Sequence, residues 1–126
     1  MSKIIGIIGS RRRDTNKDLE LIKKAFHKHY KAGDSIISGG CPKGADRFAE
    51  VIARNYNIDI TIHEAEWAKC GRVAGFVRNG YIAKDADILI ACVAWDRKGG
   101  TEDTIKKFVK LKGEENLIII KERMRR

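Results

Sequence analysis

Three glycine-rich segments of the chain carry the residue types that hold phosphate groups in proteins. They are residues 9–13 (GSRRR), residues 38–46 (SGGCPKGAD) and residues 98–101 (KGGT). Glycine lets the backbone approach an anion closely, and arginine adds a planar donor that binds phosphate through two hydrogen bonds. Three such segments in one short chain predict a phosphate-binding site, with one or two of the three arginines in contact with the ligand.

The second segment resembles a nucleotide-binding loop only in part. Gly39 and Gly44 have the spacing of a P-loop, but Ala45 and Asp46 stand where that loop has Lys and Ser or Thr. Walker-type triphosphate hydrolysis is therefore not expected. No G-x-G-x-x-G follows the first apolar run, which argues against an ordinary dinucleotide-binding domain. Asp46 either caps its helix or makes a hydrogen bond across the site.

Other polar and aromatic residues are candidates for the same site. Arg78-Asn79 interrupts an otherwise apolar helical pattern and either reaches the site or lies on the surface. Trp67 and Trp95 either stack on a base or cover the core. Asp46 is a candidate catalytic residue. The predicted ligand-binding residues are Gly9, Ser10, Arg11, Arg12, Ser38, Gly39, Gly40, Gly44, Ala45, Asp46, Trp67, Arg78, Asn79, Gly99, Gly100 and Thr101.

Neither a metal nor a cofactor is expected from the residue pattern. The three cysteines are far apart and form no Cys-x-x-Cys pair, so we predict reduced thiols rather than a zinc site. No Ser-His-Asp or Cys-His arrangement stands out either.

The elements that must position these residues alternate regularly. Apolar runs at residues 4–8, 35–38, 58–62, 88–93 and 117–120 predict strands. Between them, helical spacing predicts helices at residues 16–30, 45–56, 73–84 and 101–111, the first capped by Asn16. This order predicts an α/β Rossmann-like three-layer sandwich, with a mainly parallel five-stranded sheet and helices on both faces. All three glycine-rich segments then lie at the carboxyl edge of the sheet, where such folds bind ligands.

Length and charge favour one domain with a phosphate-bearing partner. The 126 residues suit a single domain over residues 1–126, with a basic tail at about residues 121–126. The net charge of +9 steers phosphate-bearing partners toward the protein. No apolar run reaches the roughly 20 residues that cross a bilayer, and the first run is too short for a signal peptide. We therefore expect a cytoplasmic protein that does not associate with a membrane.

The spaced set of motifs resembles the SLOG superfamily (SMF/DprA–LOG). The resemblance covers residues 4–120, and the YspA-like, YpsA-related small proteins are the most similar branch. It implies a Rossmann-like fold with a nucleotide-binding edge, and assembly as a homodimer. The matching residues are Gly9-Ser10-Arg11, Ser38-Gly39-Gly40, Gly44-Ala45-Asp46, Trp67, Ala74-Gly75, Arg78-Asn79, Ala86-Asp87 and Gly100-Thr101.

The resemblance also sets an expectation about catalysis. The enzymes of the superfamily, the LONELY GUY phosphoribohydrolases, cleave the N-glycosidic bond of nucleoside 5′-monophosphates with an arginine and glutamates around PGGxGTxxE. Gly100-Thr101 is similar to the Gly-Thr of that motif. Arg78 resembles its helical arginine, which makes Arg78 a candidate catalytic residue, but the glutamate position is Thr104. The YspA-like branch implies ligand binding without that chemistry.

Three functions stay open at this point. The first is binding of a nucleotide or nucleotide-derived small molecule, as a sensor. The second is hydrolysis of a nucleotide N-glycosidic bond, with Asp46, Glu102 or Asp103 as the carboxylate. The third is binding of nucleic acid, suggested by the charge and by the kinship with DprA. The low aromatic content of 7% weakens the third, because single-strand binding relies on stacking side chains.

Overall fold

Five strands and four helices are formed by the part of the chain that the structure, a computed structural model, describes: residues 2–65 and 74–122. Strand β2 and helix α2 have the predicted bounds, as does β5. By contrast, β3 begins two residues later than predicted and β4 ends one residue earlier. The elements are β1 Ile4–Gly9, α1 Asn16–His29, β2 Ser35–Ser38, α2 Ala45–Tyr56, β3 Ile60–Ile62, α3 Ala74–Asp85, β4 Ile88–Cys92, α4 Gly100–Lys112, a 3₁₀ turn Glu114–Asn116 and β5 Leu117–Ile120.

All five strands lie in one parallel sheet in the order β3-β2-β1-β4-β5. The predicted α/β sandwich with a parallel five-stranded sheet is therefore confirmed. The chain adds strands outward from β1 to β3, then returns and adds β4 and β5 on the other side of β1. The strand order thus reverses between β1 and β4, and the loops that leave these two strands enclose a crevice.

Two apolar layers cover the sheet because successive side chains of a strand point to opposite faces. Ile5 and Ile7 pack with α1 and α2, including Phe26 and Phe48. Ile8 and its neighbours on the other face pack with α3 and α4. Strands buried on both faces read as continuous apolar runs, which is why these segments were recognisable in the sequence.

The N-cap of the first helix lies one residue before the predicted cap. Thr15, not Asn16, is the N-cap: its Oγ1 accepts a hydrogen bond from Asp18 N at 3.2 Å. Asp18 Oδ2 in return accepts one from Thr15 N at 3.2 Å, which completes a capping box. The prediction of Asn16 was wrong because both residue types favour the position and only the backbone geometry distinguishes them.

None of the helices within residues 2–65 and 74–122 combines the length and apolar character needed to cross a membrane.

Candidate functional site

A cleft of about 800 Å³ lies at the carboxyl edge of the sheet. Its walls are the loops that follow β1, β2, β3 and β4, together with the start of α4 and one side of α3. Twelve of the sixteen predicted ligand-binding residues line it, so the tertiary structure brings the three glycine-rich segments together. These twelve are Gly9, Ser10, Arg11, Arg12, Gly39, Gly40, Asp46, Arg78, Asn79, Gly99, Gly100 and Thr101.

The remaining predicted residues do not line the cleft or lie outside the description. Ser38 and Ala45 are fully buried behind its wall. Gly44 also lies behind the wall, where a Cβ atom would come within 2.6 Å of Ser10 O. Its φ of +75° and this close contact explain why glycine is needed there, but the reason is packing against the β1 loop and not ligand access. Trp67 lies outside the described residues.

The three consecutive arginines have three different environments. Arg13 is only 3% exposed: its Nε and Nη2 donate to Asp18 Oδ1, and its Nη1 donates to the backbone oxygens of Val93 and Ile120. It therefore joins the β1 loop to the ends of β4 and β5. Arg11 is exposed and lines the cleft, with no ion-pair partner within residues 2–65 and 74–122.

Arg12 spans the point where the strand order reverses. Its Nη1 and Nη2 donate to the two carboxylate oxygens of Asp96 at 2.9 and 2.6 Å, and Nη2 also donates to Lys98 O at 3.1 Å. The Arg12 hydrogen bond holds the pKa of Asp96 below its ordinary value. Arg12 thus links the β1 loop to the β4 loop, and three of its five N–H donors are engaged in these contacts at one end of the cleft.

The turn after β2 is organised by a buried carboxylate. Asp46 Oδ1 lies 2.9 Å from Ser38 Oγ, and Asp46 Oδ2 accepts a hydrogen bond from Cys41 N at 3.1 Å. Burial raises the pKa of the Asp46 carboxyl, and the bonds from Ser38 and Cys41 and the charge of Arg78 offset this only in part. Asp46 therefore both shapes the turn and presents a carboxyl with a raised pKa at the cleft wall.

Arg78 and Asn79 reach the site from α3. Arg78 Nη1 donates to Gly39 O at 3.0 Å, and its Nε donates to Asn79 Oδ1 at 3.0 Å. Asn79, which is 5% exposed, donates through Nδ2 to Gly100 O and to Asp103 Oδ2. The pair therefore connects α3 with both the β2 turn and the start of α4, rather than lying on the free surface.

The start of α4 is open toward the cleft. Its N-cap is Gly99, no side chain caps it, and Gly99, Gly100 and Thr101 all line the cleft. A helix start without a side-chain acceptor leaves backbone N–H groups and the positive end of the helix dipole available to an anion. This is the feature that a phosphate group requires.

The carboxylates predicted on α4 do not line the cleft. Glu102 accepts two hydrogen bonds from Arg97, at 2.8 and 2.9 Å, and Asp103 accepts from Asn79 and Lys107. Thr104, which aligns with the last residue of the PGGxGTxxE pattern, does line the cleft and is 2% exposed. Asp46 is thus the one predicted catalytic carboxylate that the structure places there.

Glu64 and Asp96 are cleft carboxylates that the sequence analysis missed, and Asp96 lies nearer the other end. Lys98, which belongs to the third glycine-rich segment, also lines the cleft. Glu64 lies two residues beyond β3, on the same edge as the glycine-rich segments. Its position could have identified it, because a charged residue that follows a parallel strand lies at the edge where such folds bind ligands.

Trp95, the other aromatic candidate, lies elsewhere, and so does His63 at the end of β3. Trp95 is 59% exposed and lines a smaller pocket of about 240 Å³ with Arg97 and Lys121. His63 stacks on Tyr81 and pairs with Asp85 at 3.0 Å, which holds the end of β3 against α3. Among residues 2–65 and 74–122, no three His, Cys, Asp or Glu side chains are arranged to hold a metal ion.

Comparison of the chain with protein-family models, with curated proteins and with solved structures gives no match. The resemblance to the SLOG superfamily therefore rests on the residue pattern alone.

Proposed function

We propose that this protein binds a nucleotide or nucleotide-derived small molecule, with the phosphate of the ligand over the loops that follow β1 and β4. The observation that carries the proposal is the pairing of Arg11 with the uncapped start of α4 in one cleft. A cationic donor and a helix N-terminus supply complementary contacts to phosphate oxygens. A sensor role, SLOG membership and a cytoplasmic location remain parts of the same proposal.

Binding is tested first by thermal unfolding against a panel of AMP, GMP, ADP-ribose, NAD and cyclic dinucleotides. A ligand that binds only the folded state stabilises it by about 2.7 kcal/mol at a concentration of 100 times Kd. A rise in melting temperature with at least one panel member is the expected result. Unchanged melting with every member would contradict the proposal.

The site is tested with a matched pair of glycine variants. A Cβ at Gly100 or at Gly80 meets no heavy atom within 4 Å, but only Gly100 lines the cleft. Gly100→Ala should weaken binding about tenfold, equivalent to about 1.4 kcal/mol, while Gly80→Ala keeps the wild-type affinity. Gly40→Val is a poorer test, because Gly40 has φ of +77° and a Cβ there would lie 2.8 Å from Ile62 Cγ2.

The phosphate donor is tested by removing one charge inside and one outside the cleft. Arg11→Gln should weaken binding about tenfold or more, because charge-assisted hydrogen bonds contribute about 1.5–3 kcal/mol. Arg54→Gln removes the same charge from an exposed position on α2 and should have little effect. Equal losses in both variants would point to general electrostatic attraction, as in nucleic-acid binding, which a steep salt dependence would also reveal.

Hydrolysis of the ligand is the second candidate, and the buried Asp46 carboxyl favours it. A carboxyl whose pKa is raised by burial is suited to proton transfer, and Arg78 lies beside it at Gly39. Chromatography of any bound nucleotide should then show release of the free base, abolished in Asp46→Asn. Recovery of intact ligand after prolonged incubation would contradict hydrolysis and support binding alone.

A further inference from the structure

We propose that Glu64 determines the specificity of the cleft by accepting a hydrogen bond from a hydroxyl or amino group of the ligand and by excluding ligands with a second phosphate at that end. The inference rests on the proposed function and defines the class of ligand: one anionic end and one uncharged, hydrogen-bond-donating end.

The sheet order separates the charged residues of the cleft. Along the carboxyl edge, the loops follow in the order β3, β2, β1 and β4. Neighbouring strands are about 4.8 Å apart, so the β3 and β4 loops are separated by roughly 14 Å. Glu64 belongs to the first loop and Asp46 to the wall beside the second, whereas Arg11 follows β1 and Lys98 follows β4.

Glu64 is held close to the turn after β2. His63 N donates to Ser38 O at 2.8 Å, which continues the pairing of β3 with β2 up to the residue before Glu64. Measured from the position that a Cβ on Gly40 would occupy, Glu64 Cγ is 3.1 Å away and Oε1 is 3.5 Å away. The exposed carboxylate therefore lies over the glycine turn that forms this end of the cleft.

The two carboxyls at this end have different tasks. Both oxygens of Asp46 are engaged by Ser38 and by Cys41 N, so its hydrogen-bonding capacity serves the turn. Glu64 is exposed and lines the cleft. An ionised carboxylate accepts hydrogen bonds and donates none, so it suits a hydroxyl or amino group. It also repels a phosphate by like charge.

The other end is suited to the anion. Arg11 and the uncapped start of α4 lie there. Arg78 lies nearer the end formed by Glu64 and the β2 turn, and it donates to Gly39 O and to Asn79 Oδ1. A ligand with one phosphate therefore has one favourable orientation in the cleft. A ligand with a phosphate at each end must place one of them against Glu64.

The experiment compares two probes on three proteins by isothermal titration calorimetry. The first probe is whichever of AMP, GMP, CMP and UMP binds wild-type protein most tightly, and the second is the 3′,5′-bisphosphate of the same nucleoside. Wild-type protein should prefer the monophosphate by about tenfold or more. Glu64→Gln should reduce this preference to about threefold or less. Glu20→Gln, the same change at an exposed position of α1, should retain it.

The outcomes separate this inference from the function on which it rests. Equal affinity of wild-type protein for both probes, or an undiminished preference in Glu64→Gln, would overturn the role of Glu64 and leave the proposed function standing. Binding of ADP-ribose or of a dinucleotide without binding of any 5′-monophosphate would have the same meaning. Failure of every nucleotide tested to bind would overturn the proposed function and this inference together.

Discussion

The helices that follow β1 and β4 begin on either side of the reversal of strand order, and their first turns are built in opposite ways. Helix α1 caps itself through Thr15 and Asp18, and Asp18 also pairs with the buried Arg13. Helix α4 begins at Gly99 and Gly100 without a side-chain cap and opens toward the cleft. One helix start is stabilised by the protein itself, whereas the other leaves its N–H groups free for an external anion.

Disrupting the self-capped start of α1 should have the largest effect on stability. Arg13→Ala leaves Asp18 without its partner and removes the donor to Val93 O and Ile120 O. Loss of one partner of a buried ion pair typically costs about 3–5 kcal/mol, so we expect a fall of about 3 kcal/mol in the free energy of unfolding, measured by urea denaturation. Arg11→Ala should stay within about 0.5 kcal/mol of wild type. Similar losses in the two variants would contradict the different environments described for them.

A smaller effect is expected at the cap itself. Thr15→Ala removes the oxygen that accepts from Asp18 N and should lower the free energy of unfolding by about 1 kcal/mol. Asn16→Ala is the matched control, because Asn16 lies just inside the helix and is exposed. If Asn16→Ala proved the more destabilising of the two, the assignment of Thr15 as the cap would be wrong.

The variants Gly80→Ala and Gly100→Ala extend the comparison to the uncapped start of α4. Gly80→Ala, within α3 and with open space at Cβ, should raise the free energy of unfolding by about 0.5–1 kcal/mol. Gly100→Ala, at the first helical position, should change stability less. A loss of ligand affinity in Gly100→Ala without loss of stability would then identify the cleft, not the fold, as its cause. A strongly destabilised Gly100→Ala would show that this glycine serves packing.

The last prediction concerns pH. Burial raises the pKa of Asp46 in the folded state above its ordinary value of 3.8, so the folded state binds more protons than the unfolded state in the window just above 3.8. The contribution of Asp46 to stability therefore falls as pH rises through this window. Asp14 and Asp96 have lowered pKa values, so their stabilising contributions are lost only as pH falls below about 3.8.

Asp46→Asn isolates the contribution of Asp46. The difference in unfolding free energy between this variant and wild type should depend on pH above 3.8, measured by urea denaturation from pH 4 to pH 7. A difference that stays constant over this range would show that the carboxyl is not perturbed by burial.

Much of the scaffold could be predicted from the sequence, and much less of the site. The bounds of β2 and α2 were recognisable because apolar runs and helical spacing are local signals. The run of three arginines shows what local patterns do not predict, namely the environment of each side chain. Arg11, Arg12 and Arg13 look alike in sequence, yet one lines the cleft, one binds Asp96 across the strand reversal and one is buried.

Sequence patterns were sufficient to predict the alternation of strands and helices, the parallel sheet and the edge on which the glycine-rich loops lie. All of these follow from short-range periodicity and from the handedness of strand–helix–strand connections. The folded structure was needed to establish the strand order, the engagement of Arg12 with Asp96 and the position of Glu64 over Gly40. These depend on contacts between residues far apart in the chain, which local patterns do not encode.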